Sequence, residues 1–481
     1  MPRFQSDLAQ QGTALPHVWS RCVGSGHALL ALRADWRRQL RRAREEIGVE
    51  SVRFHGIFDD DVGTMVIDQD QAVYSFYNAE QIYDGILEAD VRPFVELGFM
   101  PAALRSGTQT VFHYAANVTP PRDMDGWVEL VERFTKRLIE RYGAEEVRRW
   151  HFEVWNEPNL RAFWTGTQDD YFELYRHTVE TLKRVDGGLR VGGPATASNA
   201  WIEDFVAFCE REGLPADFVS THQYPTDALG MPGDDTEQQL IKSTRGILEQ
   251  NARDVVRQAK GRPVIYTEWS TSSNPFFHRH DEPYAAAFVA RTCLNVAGVV
   301  EGFSYWTFSD IFEENYFSSV PFHGGFGLLT IHGIPKPTYR AFELMHHLGD
   351  ERLLVDGLHH TVDCFVVRGA DRVSVFLTNH ALPGHTISDE TVEVRLVGAT
   401  GSWSRVRRAV ERIDETHANA RRLWEAMGEP DGLLPDQVDA LEEASRLVAE
   451  PVSVRCEGDE LALSLPLPAH AVACVTLRPS N

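Results

Sequence analysis

Apolar runs and amphipathic stretches alternate along most of the chain, from about residue 13 to residue 347. Continuous apolar runs are typical of strands buried on both faces, and apolar residues at helical spacing are typical of helices that pack on a sheet. The pattern therefore predicts strands that alternate with helices. The predicted strands cover residues 17–22, 51–55, 92–99, 150–157, 189–193, 217–223, 263–269 and 302–308.

A helix is predicted after each of these strands. Gly24-Ser25-Gly26 is expected to break the chain after the first strand, and a hairpin is predicted over residues 64–76 with its turn at Asp68-Gln69-Asp70. Eight strand–helix units favour an α/β fold with a closed parallel (β/α)8 TIM barrel over an open sheet. The predicted helices cover residues 35–47, 79–89, 123–142, 169–185, 201–212, 238–260, 282–297 and 336–348.

The pattern changes after residue 348, where short and partly alternating apolar segments predict a β-sandwich. A charged stretch at about 415–447 predicts a helical insert within it. The expected domains are therefore a barrel over residues 13–347 and an accessory sandwich over residues 348–481. Residues 1–12 are placed with the sandwich. The predicted sandwich strands lie in residues 353–368, 371–379, 391–397, 452–458 and 460–477.

Composition narrows the classes of partner. The chain has 481 residues, which is more than one core usually supports, and a formal net charge of −23. Such a charge repels nucleic acid and anionic membranes but tolerates a neutral sugar. Six cysteines without a CxxC pair favour buried thiols in a reducing compartment. Without a signal peptide or a membrane-spanning run in this sequence, we expect a cytoplasmic protein.

Polar and aromatic residues recur where the predicted strands end. In a parallel barrel, the loops after the strands form the active site, so these side chains are expected to converge at one mouth. They are His55, Glu96, Asn156, Glu157, His222, Tyr224, Glu268, Trp269 and Trp306.

Two of these positions are glutamates on strands four and seven, which lie across a barrel from each other. Asn156-Glu157-Pro158 ends the fourth strand, and Thr267-Glu268-Trp269 ends the seventh. Cleavage of a glycosidic bond needs a proton donor and a second carboxylate, about 5–5.5 Å apart in retaining enzymes and about 6.5–9.5 Å apart in inverting ones. The sequence predicts the pair of Glu157 and Glu268 but leaves their separation open.

Five motifs in the same order resemble glycoside hydrolase family 39, and within it the bacterial β-D-xylosidases, which carry a β-sandwich behind the barrel. The resemblance spans nearly the whole chain. The motifs are Arg53-Phe54-His55-Gly56, Glu96-Leu97-Gly98-Phe99-Met100-Pro101, residues 151–160 around Trp155-Asn156-Glu157-Pro158, Thr221-His222-Gln223-Tyr224-Pro225, and Ser304-Tyr305-Trp306-Thr307-Phe308-Ser309-Asp310.

The resemblance implies that Glu157 is the general acid/base and Glu268 the nucleophile. A nucleophile must stay ionised, and the Tyr224 hydroxyl is a candidate hydrogen-bond donor to it. The other expected substrate contacts are Asn156 at the sugar 2-hydroxyl, His55 and His222 as hydroxyl ligands on opposite sides of the ring, Trp306 as an apolar platform, Glu313 and Glu314 at the distal hydroxyls, and Phe112 in the pocket wall.

The predicted activity is that of a retaining, exo-acting β-D-xylosidase that cleaves xylobiose and short xylo-oligosaccharides from their non-reducing ends. No metal or organic cofactor is expected, and His278-Arg279-His280-Asp281-Glu282 is read as a solvated loop and not as a metal site. Alternatives are an α-L-iduronidase, an arabinosidase, an endo-glycanase, or a non-catalytic xylan-binding protein. The sequence leaves a monomer and a homo-oligomer both open.

Overall fold

The computed structural model describes residues 1–226, 235–314, 317–399 and 406–479. Within these residues, parallel strands close into an eight-stranded barrel in which each strand pairs with the next one along the chain. The predicted α/β barrel with an accessory sandwich is confirmed. The barrel strands are Val23–His27, Ser51–His55, Arg92–Leu97, His151–Val154, Arg190–Thr196, Phe218–His222, Val264–Trp269 and Gly302–Tyr305.

Helices surround the barrel because their apolar faces pack on the outside of the sheet. The last one, Pro337–His346, closes the series. The longest, Met124–Tyr142, buries Trp127, Leu130 and Phe134 and is capped by the Asp123 side chain. The other barrel helices are Ala34–Ile47, Tyr77–Leu87, Gln168–Val185, Ile202–Glu212, Thr236–Ile241, Ile247–Gln258 and Pro283–Val296, with Ala144–Val147 as a short addition.

The first barrel strand is Val23–His27, so the prediction of residues 17–22 is wrong. Gly24-Ser25-Gly26 does not break the strand but lies inside it, with every residue of the strand buried. A Cβ atom at Gly24 would lie 2.3 Å from Cε3 of Trp306. Glycine is therefore required here because an aromatic ring packs directly on the strand backbone.

The predicted helix over residues 238–260 is also wrong, because the chain forms two helices, Thr236–Ile241 and Ile247–Gln258. The turn between them carries Arg245. Its guanidinium donates hydrogen bonds to the carbonyl oxygens of His360 and Thr361 and pairs with Asp363. At this turn, contacts with the accessory region after residue 348 thus replace the backbone hydrogen bonds of the continuous helix that the apolar periodicity predicts.

Two sheets face each other in the accessory region, and their apolar faces form a separate core. Among the described residues, the smaller sheet contains Arg3–Asp7, Glu390–Val397, Glu460–Leu467 and Val454–Glu457. The larger contains Thr13–Ala14, Glu351–Leu353, Val362–Arg368, Val373–Asn379, Val472–Pro479, Val406–Ile413 and Glu450–Pro451. The strand Val406–Ile413 is not among the predicted ones. The exact domain division at residue 347 stays a prediction.

Two smaller features lie at the edges of these units. Ala420–Ala426 and Pro435–Ala444 are the helices of the expected insert, and Trp424 packs on Phe322 of a barrel loop. The predicted hairpin forms, with strands Met65–Asp68 and Gln71–Tyr74.

A second hairpin, Thr110–Val111 with Ala116–Asn117, is not predicted by the sequence pattern. It lies over the barrel mouth and carries Phe112 and Tyr114. In the part of the chain that the structure describes, every helix is too short or too polar to cross a bilayer.

Candidate active site

Arg53 lies at the centre of the barrel mouth and is completely buried. Its guanidinium pairs with Glu153 at 2.5 Å, with Glu268 at 2.8 Å and with Glu96 at 2.9 Å. It also donates a 2.9 Å hydrogen bond to Oδ1 of Asn156. A buried cation is tolerated when carboxylates neutralise its charge. Here the carboxylates lie on three other strands, so the ion pairs connect four barrel strands. Arg53 has no predicted role, although a charged residue within the buried strand Ser51–His55 is itself a sign of function.

Glu268 ends the seventh strand and is 6% exposed. Arg53 donates to its Oε1, and the Tyr224 hydroxyl donates to its Oε2 at 3.1 Å. Burial raises the pKa of this carboxyl, while the charge of Arg53 opposes the rise. Both hydrogen bonds stabilise the carboxylate form, which agrees with the predicted contact of Tyr224.

Glu157 lies just beyond the fourth strand, His151–Val154. Its backbone N–H donates to Ala195 at 2.8 Å, which fixes the turn at the strand end. One of its carboxyl oxygens is 2.9 Å from Nδ1 of His222. That nitrogen, a Glu157 oxygen and a Glu268 oxygen all lie within 4.8 Å of one another. The two predicted glutamates therefore face the same small space.

His222 is not available as a hydroxyl ligand, so this part of the prediction is corrected. The side chain is fully buried, its Nδ1 meets Glu157, and its Nε2 is 3.1 Å from the Thr267 hydroxyl. Both ring nitrogens are thus used within the protein. Burial lowers the pKa of His222 to about 4, so the ring is neutral at physiological pH.

His55 ends the second strand and presents one nitrogen to the pocket. Its Nδ1 is 2.7 Å from Glu96, while its Nε2 lies 3.5 Å from Glu314 and 3.7 Å from Glu268. Burial lowers the pKa of His55, but Glu96 and Glu314 outweigh burial and raise it to about 10. His55 is therefore a cation that can donate from Nε2 to a hydroxyl oxygen.

Asn156 and Trp306 complete the floor of the pocket. Because Oδ1 of Asn156 accepts from Arg53, the side-chain orientation is fixed and its NH2 group can act as a donor. Trp306 is 2% exposed, packs over Gly24, and has its ring centroid 4.9 Å from that of His55.

Aromatic and acidic side chains form the wall. Phe112 is half-buried, with ring centroids 5.9 Å from His55 and 5.5 Å from Phe163. Glu314 faces His55, and burial raises the pKa of its carboxyl. Glu313 precedes Glu314 on the same loop, and its charge acts on Arg33. The structure thus brings Glu314 close to the glutamate pair and gives Glu313 a different neighbour.

Glu96, Glu153 and Thr267 are inward-facing residues with no predicted substrate contact. Glu96 accepts from His55 and Arg53 and so holds both side chains in place. Glu153 and Thr267 were missed because their partners lie on other strands, so no local spacing indicates them. The only local sign was a carboxylate in the otherwise apolar strand His151–Val154.

Among the residues that the structure describes, two clusters have the donor atoms of a metal site. Glu157, His222 and Glu268 form one, and their contacts are those of the glutamate pair. In the other, Nε2 of His27 lies 3.5 Å from Asp59 and 3.3 Å from Asp61. Burial lowers the pKa of His27, but both carboxylates outweigh it and raise it to about 9. A protonated imidazole therefore satisfies this second cluster.

The segment 278–282 is only partly solvated, since His280 and Asp281 are each 1% exposed whereas the His278 side chain is 56% exposed. His278–Asp281 forms a 3-10 helix. Nδ1 of His280 lies 2.9 Å from the Gly324 carbonyl oxygen, and Asp281 pairs with Lys336 at 2.6 Å. The segment packs against the loop that follows the eighth barrel strand.

The chain is similar to known proteins over nearly its whole length. Residues 4–461 match the family model described as Glycosyl hydrolases family 39. A β-xylosidase of Caldicellulosiruptor saccharolyticus is 45% identical over 466 residues, which is 96% of this chain and 95% of the relative. A β-xylosidase of Geobacillus stearothermophilus is 41% identical over 430 residues, 86% of this chain and 83% of the relative. The crystal structure of a monomeric β-xylosidase from Caulobacter crescentus CB15 matches with a TM-score of 0.89 at 32% identity and covers 100% of both chains.

Proposed function

Since the chain belongs to glycosyl hydrolases family 39, we propose that it is a retaining, exo-acting β-D-xylosidase. Its substrates are xylobiose and short xylo-oligosaccharides, cleaved at the non-reducing end. The observation that carries the proposal is the pair of Glu157 and Glu268, since one carboxyl oxygen of each lies within 4.8 Å of one carboxyl oxygen of the other. That spacing suits direct attack by one carboxylate and leaves little room for the water molecule of an inverting mechanism.

In the first step, Glu157 donates its proton to the glycosidic oxygen while Glu268 attacks the anomeric carbon. The bond from that carbon to the leaving oxygen breaks, and a xylosyl ester of Glu268 forms. Arg53 and Tyr224 orient the attacking carboxylate through hydrogen bonds of 2.8 and 3.1 Å. The NH2 group of Asn156 donates to the sugar 2-hydroxyl, an interaction that strengthens in the oxocarbenium-like transition state.

In the second step, Glu157 is a carboxylate and takes a proton from water. The water oxygen attacks the anomeric carbon, the ester bond to Glu268 breaks, and xylose leaves with its original anomeric configuration. Since the charge of Glu268 is absent from the ester, Glu157 then has one less negative neighbour, which favours its role as a base.

The charges at the site favour a neutral glycone over an iduronide. A sugar carboxylate needs a free cation, but Arg53 is satisfied by carboxylates and His55 lies between Glu96 and Glu314. Glu314 is suited to accept from sugar hydroxyls, which supports a xyloside or an arabinoside. The aromatic wall of Phe112 and Phe163 narrows the mouth, which supports exo action over an open endo cleft.

A panel of aryl glycosides tests the substrate. We expect the β-D-xyloside to react fastest, and a dominant rate on the iduronide or the arabinoside would contradict the proposal. Glu268→Gln should abolish hydrolysis, whereas a xylan-binding protein without activity would show no turnover even in the wild type. A 2-deoxy-2-fluoro-xyloside should label Glu268, and a label on another residue would reject the assigned nucleophile.

Glu157→Gln tests the acid. This variant should lose activity on alkyl xylosides by about 10²–10⁴-fold, the usual contribution of general acid catalysis. It should keep most of its kcat/KM on a dinitrophenyl xyloside, whose leaving group needs no proton. Equal losses on both substrates would contradict the acid role.

Assembly and location are separate from this activity. The Caulobacter crescentus relative is monomeric, and we propose the same state for this chain, with 54.3 kDa expected by light scattering. A doubled mass would instead support the homo-oligomer that the sequence leaves open. The cytoplasmic location stays a prediction.

A further inference from the structure

We infer that Thr267 is a positioning residue that fixes the tautomer of His222 and thereby keeps the catalytic proton on Glu157. The inference rests on the proposed glycosidase function and deepens it. It concerns a line of four buried groups that runs from Glu153 through Thr267 and His222 to Glu157. Three hydrogen bonds link them, at 2.8, 3.1 and 2.9 Å.

Glu153 determines which group donates and which accepts in each of these hydrogen bonds. This side chain is fully buried and pairs with Arg53 at 2.5 Å, which stabilises its carboxylate form. A carboxylate only accepts hydrogen bonds. The Thr267 hydroxyl lies 2.8 Å from Oε1 of Glu153 and must therefore donate to it.

A hydroxyl group has a single proton, so the Thr267 oxygen can only accept from its second partner. That partner is Nε2 of His222, 3.1 Å away. Nε2 therefore carries the hydrogen. In a neutral imidazole the other nitrogen, Nδ1, then has a lone pair and no hydrogen.

Burial keeps the ring neutral. His222 is 0% exposed, and Thr267 already takes its Nε2–H. A second proton would place an imidazolium in a dry site, where burial and the charges of Arg53 and His55 outweigh the attraction of Glu268 and Glu153. Nδ1 is thus an acceptor, and at 2.9 Å it needs a donor. Glu157 can supply that donor only in its protonated form.

This arrangement assists both chemical steps. Before the first step, the hydrogen bond from the Glu157 carboxyl to Nδ1 stabilises the acid that the leaving group requires. After the proton has moved to the leaving oxygen, the Nδ1 lone pair faces a carboxylate oxygen, which favours renewed protonation. Glu157 is therefore a better base toward water in the second step.

Thr267→Val removes the hydroxyl but keeps the branched shape. Nε2 then loses its acceptor, and the ring can turn to the tautomer with hydrogen on Nδ1, which stabilises ionised Glu157. We expect kcat/KM for an alkyl β-xyloside to fall at least about tenfold, while kcat/KM for 2,4-dinitrophenyl β-xyloside changes by less than about threefold. Thr267→Ser, which retains the hydroxyl, should restore the alkyl xyloside rate.

The matched control is Thr292→Val. Thr292 is buried and donates to the Phe288 carbonyl oxygen on a barrel helix, so the same hydroxyl is lost far from the site. It should leave the ratio of the two substrate rates unchanged. If Thr267→Val slows both substrates equally, or neither, the inference is overturned.

The pH profile provides a second readout. The alkaline limb of kcat/KM reports loss of the catalytic proton from the free enzyme. In Thr267→Val this limb should move to lower pH by about one unit, which is roughly a tenfold change in proton affinity. An unmoved limb would contradict a role for Thr267 in holding that proton.

A measurement on the wild-type chain covers the case in which the variant fails to fold. With ¹⁵N-labelled histidine, the ring signals that disappear in His222→Gln belong to His222. We expect Nε2 to be protonated and Nδ1 unprotonated at neutral pH, and the opposite tautomer or an imidazolium would reject the inference.

The two proposals fail in different ways. If the wild type hydrolyses no β-xyloside, the proposed function fails, but the tautomer of His222 is still measured. If the wild type is active and Thr267→Val keeps its substrate ratio and pH limb, only the role of Thr267 fails.

Discussion

Arg53 pairs with three buried carboxylates in the barrel. Its positive charge partly offsets the negative charges of Glu96, Glu153 and Glu268, which would otherwise repel one another in a site without water. Removal of one partner from a buried ion pair usually costs more than the pair contributes, because the remaining charge has no compensation. Arg53 therefore links the stability of the barrel to the position of Glu268, the proposed nucleophile.

Arg53→Met should lower the free energy of unfolding by about 3–5 kcal/mol and reduce kcat, because it leaves buried carboxylates unpaired and frees Glu268. Urea denaturation and aryl xyloside kinetics measure the two effects. The control is Arg44→Met, since Arg44 forms a surface pair with Asp90 whose side chain is 79% exposed. That change should cost no more than about 1 kcal/mol. A similar loss in both variants would contradict the special place of Arg53.

Gly24→Ala should disturb the sugar platform. The added Cβ would lie 2.3 Å from Cε3 of Trp306, so the ring must move by a fraction of an ångström or more. We expect a higher KM for xylosides with a smaller change in kcat, because the proposed contact of Trp306 is with the sugar face and not with the reacting atoms. Gly432→Ala is the control, since its Cβ would meet nothing within 4 Å. An unchanged KM in Gly24→Ala would show that Trp306 does not bind the sugar.

The sequence identifies residues whose role is local and misses those whose role depends on a partner. Asn156, Glu157 and Glu268 could be predicted as site residues because each follows an apolar strand in a short motif. The role of His222 was misread because its Nε2 partner, Thr267, lies on the next strand, and only the fold shows that both of its nitrogens are used. Arg53 lies in one of the sequence motifs, but its role as the partner of three carboxylates is visible only in the fold, because those carboxylates lie on other strands.

At the scale of elements, two loops at the barrel mouth are joined by one buried lysine. Lys336 pairs with Asp281 at 2.6 Å and Asp310 at 2.7 Å, and donates to the Gly325 carbonyl oxygen at 2.9 Å. The same carboxylates accept backbone N–H groups, Asp281 from Gly324 and Asp310 from Gly327, both at 2.7 Å. This cluster fixes both ends of the loop that follows the eighth strand, and Glu314 lies on the same loop.

Lys336→Met should leave the two aspartates buried without a counter-charge. We expect a loss of about 3–5 kcal/mol in the free energy of unfolding and a higher KM, because the loop that carries Glu314 is less firmly held. Thermal denaturation and xyloside kinetics give the two values. Lys136→Met is the control, because Lys136 is 56% exposed and pairs with Glu132 on one helix turn. It should change stability by less than about 1 kcal/mol.

Element boundaries were predictable where the local pattern agrees with the tertiary contacts. The strand Ser51–His55 has the predicted bounds, and the helix Met124–Tyr142 begins one residue later than predicted. The first strand was predicted too early in the chain because Gly24-Ser25-Gly26 indicates a break in the sequence pattern. In the fold, the absence of a side chain at Gly24 instead makes room for the ring of Trp306. The helix over residues 238–260 was not divided because the contacts of Arg245 with the sandwich leave no mark on the periodicity.

At the scale of the whole molecule, the barrel helix Pro283–Val296 packs on the sandwich strands Val373–Asn379 and Val472–Pro479. His380 lies in this interface and is 0% exposed. Among the described residues, neither of its ring nitrogens has a hydrogen-bond partner. Its ring is 5.0 Å from that of Tyr284 and 5.8 Å from that of His470. An uncharged histidine is thus part of the contact between the two units.

This interface should make the protein sensitive to acid. Burial lowers the pKa of His380 well below its usual value, and His470, Arg245 and Arg291 lower it further, while burial lowers the pKa of His470 to about 4. The unfolded chain takes up these protons near pH 6.5 and the folded chain does not, so stability is full above pH 6.5 and falls as the pH decreases. Each such histidine should lower the free energy of unfolding by about 2 kcal/mol between pH 6.5 and pH 5.

Urea denaturation at several pH values tests this. Over this range, the free energy of unfolding of His380→Phe should fall by about 2 kcal/mol less than that of the wild type. His278→Phe, at a side chain that is 56% exposed, should lose as much as the wild type. Equal acid sensitivity in all three proteins would mean that the interface does not resist protonation of His380.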